Sequence, residues 1–201
     1  IRHIHLEETN STNDYIKTLA LEQGEMVVVS TDWQTSGRGQ GTNCWESERA
    51  QNLLFSVMAQ PLCVSVQQQF VLSMAGALAI KEVLDQFSPY FSIKWPNDIY
   101  WHDRKISGTL IETSLARGQI SRFVYGIGLL SDAPNPVSLV QITGQPLSPM
   151  PLLNCIVQSF LQQLQLVQEG KTSLITARYN ASLFRSAGFH LYSDEQGLFE
   201  A

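Results

Sequence analysis

Thr35-Ser36-Gly37-Arg38-Gly39-Gln40-Gly41-Thr42-Asn43-Cys44-Trp45 is the stretch around which the rest of the chain is organised. Gly37, Gly39 and Gly41 lack the Cβ that shields a backbone amide, and Arg38 between them adds a fixed cation with a planar fork of donors. Amides gathered around one guanidinium suit a phosphate or an acyl phosphate. The same residue types also make ordinary hairpin turns, so the loop alone leaves both readings open. The apolar run Met26-Val27-Val28-Val29 precedes it and a second run, Asn52 to Met58, follows. Both read as strands, and the loop is expected to connect two strands of one sheet.

Working outward, Arg2 to Leu6 alternates as a short strand, with Ile4 on one face and His3 and His5 on the other. Histidines at this spacing can bind a metal, but no acidic or cysteine cluster of ligand spacing lies nearby, and a solvated strand face is expected. Ser11-Thr12-Asn13 suits a helix N-cap before Tyr15, Ile16, Leu19 and Ala20, with Gly24 closing that helix. Its free amides and hydroxyls can serve capping alone or receive a polar ligand head. Gln67 to Phe87 is helical, with Phe70, Val71, Met74, Ala75, Leu78 and Ala79 recurring at three and four.

Tyr90 to Thr113 reads as a hairpin, strands Ser92 to Trp95 and Ile106 to Thr113 flanking the turn chemistry of Pro96-Asn97-Asp98 and His102-Asp103-Arg104. On that reading Lys94 and Lys105 converge, beside an Asn97-Asp98 pair able to hold a Mg²⁺ bound to phosphate. Phe123 to Leu129 is a further strand, in which Gly126 and Gly128 leave room for a ligand or another backbone. Leu130 to Gln145 is a loop ending in a short helical piece. Ser148-Pro149 opens an amphipathic helix carrying Leu153, Ile156, Val157, Phe160, Leu164 and Val167 and closed by Gly170; a second helix covers Ser173 to Leu183. Two short strands, Phe189 to Tyr192 and Leu198 to Ala201, surround an Asp-Glu-Gln-Gly turn. The fold class is α+β, a mixed β-sheet with helices packed on one side.

The chain has 201 residues, 44% of them hydrophobic, enough for one domain with a buried core or a domain with a small appendage. No apolar run approaches the roughly 18 residues of a membrane span, and the first residues lack a signal-peptide pattern, so no membrane partner and a cytoplasmic location are expected. The net charge is −5 and Lys and Arg are scattered singly, which argues against a nucleic-acid partner. Cys44, Cys63 and Cys155 are odd in number without paired spacing, so reduced thiols are expected, with Cys44 a small packing residue.

Taken together, Ser11-Thr12-Asn13, Gln34-Thr35-Ser36-Gly37-Arg38-Gly39, Trp45, Lys94-Trp95-Pro96-Asn97-Asp98, Arg104-Lys105-Ile106-Ser107-Gly108 and Gly126-Ile127-Gly128 resemble biotin protein ligases, also called biotin–[acetyl-CoA-carboxylase] ligases. The resemblance implies the biotinyl/lipoyl ligase fold related to class II aminoacyl-tRNA synthetases. It implies ATP-dependent activation of biotin to biotinyl-5′-AMP, with Mg²⁺, and transfer to a lysine of a biotin carboxyl carrier protein domain by a monomer or homodimer. Lipoate or octanoate transfer on the same fold, and a non-catalytic biotin sensor, stand as alternatives.

Carried over, Ser11, Thr12, Asn13, Gln34, Arg38, Gly39, Gln40, Lys105 and Gly108 resemble biotin contacts. Arg38, Asn43, Trp45, Lys94 and Asn97 resemble adenylate contacts. The catalytic set is Arg38, Lys94, Lys105 and Asp98, the last to orient or deprotonate the carrier lysine. Two departures stand out: Gln40 and Asn43 occupy positions where the family loop often has arginines, and Leu129 runs directly into Leu130-Ser131-Asp132 where the family usually has an asparagine and a flexible segment. Residues 1–185 are expected to form the catalytic domain and 186–201 the start of a truncated C-terminal small β domain. A DNA-binding helix-turn-helix, and with it a repressor function, is not expected.

Overall fold

The computed structural model describes residues 1–45, 47–60, 64–129, 137–194 and 197–200. Cys63, the segment after Leu129 where the family pattern departs, and the centre of the 194–197 turn lie outside the described residues.

Seven strands form the central sheet in the order β1-β2-β5-β9-β8-β7-β6. Strand β1 (Arg2–Leu6) pairs with β2 (Met26–Thr31) in parallel, and every other neighbouring pair is antiparallel. β2 and β5 (Leu53–Ala59) are buried along their whole lengths, which is why they read as continuous apolar runs rather than alternating ones.

The two faces of β2, β5 and β9 (Gln119–Leu129) have different partners. Val28, Phe55, Val57, Phe123, Tyr125 and Ile127 face one large core with helices α2 (Gln69–Leu84), α4 (Pro149–Gln168) and α5 (Thr172–Ala181). Val27, Val29, Met58 and Val124 pack on the other face against Ile16 of the short helix α1 (Thr12–Lys17). The expected layer of helices on one side is present. α1 covers only part of the opposite face, and what it leaves uncovered becomes the candidate site.

Helix α2 is buried on almost every side because it lies between the sheet and the outer helices, and Gly76 sets how closely it approaches. A Cβ there would come within 2.3 Å of the Tyr125 ring. That ring is fully buried and makes an edge contact with Phe160 of α4, 5.1 Å between centroids, so it has nowhere to move.

Several local expectations are corrected. α1 stops at Lys17, capped by Thr18, whose hydroxyl donates to Tyr15 O at 2.7 Å; Gly24, at φ 75°, serves the turn into β2. Phe70 is 39% exposed because it lies in the first turn of α2, beside Trp95 and Tyr179 instead of in the stripe.

The expected single hairpin is a three-stranded meander: β6 (Phe91–Lys94), β7 (Asp98–Trp101) and β8 (Arg104–Ala116), with a cis Trp95-Pro96 peptide between the first two. Each group of turn residues makes its own turn, so β7 separates the strands of Lys94 and Lys105 by two sheet spacings, about 10 Å. The tail pairs as β10 (Leu191–Asp194) with β11 (Gly197–Glu200). Among the described residues, no helix is long and apolar enough to cross a membrane.

Gly76→Ala is expected to lower stability by about 1–3 kcal/mol through overpacking against Tyr125. Urea unfolding should show a lower midpoint at an unchanged slope.

Candidate active site

The floor of the site is a patch of sheet without side chains. Gly108 of β8 lies opposite Gly128 of β9, and Gly126 lies between Ser56 of β5 and Leu110 of β8. The indole of Trp45 occupies the space over the first two: a Cβ on Gly128 would come 2.2 Å from the ring, and one on Gly108 2.6 Å. Asn13 occupies the space over Gly126, where a Cβ would lie 2.3 Å from its Oδ1. Both ligand-sized glycine gaps foreseen in β9 are therefore filled by the protein's own side chains.

Over this floor lies a cavity of about 260 Å³ lined by residues of α1, the glycine loop, the β6–β7 turn, β8 and β9. The loop folds back on itself through β3 (Gly37–Arg38) and β4 (Cys44–Trp45), with Arg38 opposite Cys44 and Gly39 N donating to Asn43 O at 2.8 Å. A second cavity of about 560 Å³ lies against the loop, so the hairpin is a wall between two spaces.

Polar groups converge from α1. Ser11 is its N-cap, and Thr12 donates to Gln34 Oε1 through both its amide (2.8 Å) and its hydroxyl (3.1 Å). The buried Ser56 hydroxyl lies 2.7 Å from Thr12 Oγ1 and 2.6 Å from Asn13 Oδ1. These bonds lock the side chains before any ligand arrives. Trp45 Nε1 is buried without a hydrogen-bond partner among the described residues, an unfilled donor at the edge of the cavity.

The charges form two clusters. Lys105 Nζ lies 2.6 Å from Asp98 Oδ2. Arg38 reaches Asp14 at 2.6 Å and Glu112 at 3.2 Å, and Lys17 reaches the same two carboxylates at 2.9 and 3.0 Å. Asn13 Nδ2 adds a hydrogen bond to Glu112 Oε2 at 2.9 Å. The hydrogen bond from Lys17 holds the Asp14 carboxyl below its ordinary value, outweighing partial burial, with Arg38 contributing. Burial pushes Glu112 up, yet the bonds from Lys17 and Asn13 together with the neighbouring cations bring it below the ordinary value. The charge of Glu112 raises Arg38, and the two carboxylates raise Lys17 against its own desolvation. These pairs are partly solvated, so each contributes about 0.2–1 kcal/mol to stability.

Ser11, Thr12, Asn13, Gln34, Arg38, Gly39, Gln40, Asn43, Trp45, Asn97, Asp98, Lys105 and Gly108 all line the cavity. Lys94 does not. Its ammonium lies 3.1 Å from Tyr100 Oη, on the sheet's edge strand. Cys44, expected to pack, is exposed and lines the wall instead, because β4 turns it out opposite Arg38. Ser56, Lys17, Asp14 and Glu112 were not singled out from the sequence; the period-two spacing Gly108, Leu110, Glu112 was the available signal for the last. Among the described residues, no group of three or more His, Cys, Asp or Glu could hold a metal, His3 and His5 included.

Residues 5–129 match the model of the Biotin/lipoate A/B protein ligase family. The chain belongs to that family. It is 32% identical over 144 residues to biotin–protein ligase 1, chloroplastic, of Arabidopsis thaliana, a match covering 70% of this chain and 39% of that protein. It is 31% identical over 140 residues to the biotin–[acetyl-CoA-carboxylase] ligase of Mycobacterium tuberculosis, covering 65% of this chain and 50% of the relative. The chain thus spans half or less of these curated relatives.

Among solved structures, the biotin protein ligase of Aquifex aeolicus in complex with biotin and ATP superposes with a TM-score of 0.75 at 22% identity, covering 100% of this chain and 95% of that one. The Leishmania major enzyme in complex with biotinyl-5-AMP gives 0.77 at 24% identity, with the same coverage. At these identities the likeness establishes the fold.

Because the Asp14 carboxyl is lowered, the stability it contributes is whole above its unfolded value near 3.8 and is lost as the pH falls through the still lower folded value. The difference in melting temperature between wild type and Asp14→Asn should be constant above about pH 5 and shrink below pH 3.8. Thermal scans across that range read it directly.

Proposed function

We propose that the chain is a biotin protein ligase, which activates biotin with ATP to biotinyl-5′-AMP and passes the biotin to a lysine of a biotin carboxyl carrier protein domain. The carrying observation is the convergence of the Thr12–Gln34–Asn13–Ser56 polar cluster and the Lys105–Asp98 pair on one cavity floored by Gly108, Gly126 and Gly128. The first group offers fixed donors and acceptors to a small cyclic urea. The second sets a cation where the attached carboxylate would arrive.

In the first half-reaction a biotin carboxylate oxygen bonds to the α-phosphorus of ATP and the bond to pyrophosphate breaks. No protein nucleophile is required; positioning and charge stabilisation are the task. Lys105 takes the carboxylate and then the acyl phosphate by exchanging Asp98 for the ligand. Asp98 is then free to orient the incoming carrier lysine and accept its proton.

Trp45 Nε1, Asn43 and Asn97 contact the nucleotide side, with Ser11, Gly39 and Gln40 closing around biotin. Lys94 serves the phosphates from the mouth, its long stem swinging away from Tyr100. The donors Asn97 and Asp98 fit a Mg²⁺ carried by substrate phosphates and not a cage built by protein alone, which is how this ion is usually held. When bound it supplies neutralisation of phosphate charge.

A cavity of about 260 Å³ is smaller than the roughly 300–1,000 Å³ of ordinary ligand sites. Biotin and ATP together therefore require the glycine hairpin to shift into the adjoining space, covering the anhydride and excluding water. Residues 1–185 carry this chemistry; in the tail, β10 and β11 pair with each other and not with the central sheet. The names of the relatives and their bound ligands support the reading.

Purified protein is expected to catalyse biotin-dependent exchange between ATP and pyrophosphate, and to label a carrier domain. Lys105→Ala should lower exchange about 10²–10³-fold, the usual loss for a donor aimed at developing charge. Exchange driven by lipoate but not biotin would move the assignment to a lipoate ligase, and biotin binding without any exchange would make the chain a sensor.

A further inference from the structure

We infer that Arg38 acts on this reaction through Glu112 and Asp14 and not by touching the substrate: the Asp14–Lys17–Arg38–Glu112 quartet tethers the near arm of the glycine hairpin to the sheet and leaves its tip to move. The inference rests on the proposed ligase activity only for its consequence; the tether itself is a property of the ligand-free chain.

Four charged groups from three separate elements meet here. Glu112 projects from β8 at the register position opposite Val124, two residues beyond Leu110 and four beyond Gly108. Lys17 and Asp14 come from opposite ends of α1, and Arg38 comes from β3. Each cation touches both carboxylates, and the sum of charge is zero. A substrate anion that drew Arg38 away would have to break two ion pairs and leave two carboxylates sharing Lys17.

Lys105 is different. It has one carboxylate partner, Asp98, and that partner faces the same cavity. Of the two cations in the wall, Lys105 is therefore the one that exchanges its partner for a ligand, and Arg38 the one that stays.

Beyond Arg38 the backbone bonds, Gly39 N to Asn43 O and Asn43 N to Gln40 O, stay within the hairpin, and among the described residues none ties the tip to the sheet. Gln40, Gly41, Thr42, Asn43 and Cys44 are all exposed, and the hairpin has open space on both sides. A loop pinned at Arg38 swings its tip about a fixed point, and the ordering cost of closure falls on these few residues alone. Glu112 is thus a positioning residue. It holds the arm at the start of the swing, and its removal makes the whole loop pay that cost on every binding event.

The test uses the full chain in four forms: wild type, Glu112→Gln, Arg38→Ala, and the double variant, with Asp14→Asn as a second way to open the tether should Glu112→Gln fold poorly. Without ligand, trypsin must extract the Arg38 side chain from its ion pairs to cut the Arg38–Gly39 bond. Cleavage there is expected to rise at least fivefold in Glu112→Gln or Asp14→Asn, and in wild type at 0.5 M NaCl, while cleavage after Arg117 in the exposed β8–β9 turn stays constant.

In biotin-dependent exchange, Glu112→Gln should raise KM about tenfold with kcat within twofold of wild type, and the double variant should show the same KM as Arg38→Ala alone. If Arg38 instead touched the substrate, Glu112→Gln would release it to bind better, KM would fall, and Arg38→Ala would lower kcat. Either that pattern or equal trypsin rates at Arg38–Gly39 in wild type, Glu112→Gln and Asp14→Asn would overturn the tether. Absence of exchange in wild type would overturn the ligase reading alone, since the cleavage rates still report on the tether.

Discussion

A tryptophan can settle onto the face of a β-sheet only where the strands beneath it carry no side chains. Gly108 and Gly128 sit opposite each other for that purpose, and a methyl group on either would collide with the Trp45 ring. Dispersion contacts fall off steeply with separation, so bare backbone is what brings the indole into full contact with the sheet. Trp45 closes the glycine hairpin, and its placement fixes the far arm of the loop in the way the ion-pair quartet fixes the near arm. The hairpin is thus held at both feet and open at the tip. Asn13 over Gly126 applies the same device to α1, docking the helix so that Ser11, Thr12 and Asn13 present their polar groups to the cavity.

The placement of charge follows from that geometry. Arg38 and Lys105 are the cations that line the cavity among the described residues, and each is neutralised by a carboxylate. An anion approaching this wall gains little until a pair opens. Partial burial strengthens these pairs compared with bulk water, yet leaves them weak enough to exchange.

How much of this could be read from the sequence varied with the length and regularity of each signal. The runs Met26–Val29 and Asn52–Met58 read as strands, and the period of α4 gives its core stripe, because burial there acts on many residues at once. The four residues of β7 were absorbed into a turn, since Asp98 and the flanking Pro96 and Asn97 are turn formers while only Ile99, Tyr100 and Trp101 favour a strand. That one missed strand moved Lys94 from the cavity to the sheet edge. Ser11 to Asn13 read as a helix cap open to a polar head, and Gly108 and Trp45 entered through the family resemblance; all of them line the cavity. Ser56, Lys17 and Glu112 did not, because a serine in an apolar strand and charges on a short helix or a long strand look like ordinary surface until the sheet register aligns them.

The register also accounts for the separate character of the β6 edge. Lys94 lies opposite Asp98, within reach of the carboxylate that Lys105 holds, yet its ammonium rests 4.9 Å from the Tyr100 ring centroid. Asp98 is already paired, and a second cation there would meet the repulsion of Lys105. The aromatic ring gives Lys94 a shallow resting place worth about 0.5–1 kcal/mol at an exposed position. Beside it, Trp95 stands 69% exposed and Tyr179 holds the turn from below by donating to Pro96 O at 2.7 Å. A cation on so weak a hold at the rim costs little to redirect, whereas one bound to Asp98 would cost as much as Lys105 does. The packing of hairpin, helix and sheet thus grades the basic residues: Arg38 with two carboxylates, Lys105 with one, and Lys94 with Tyr100.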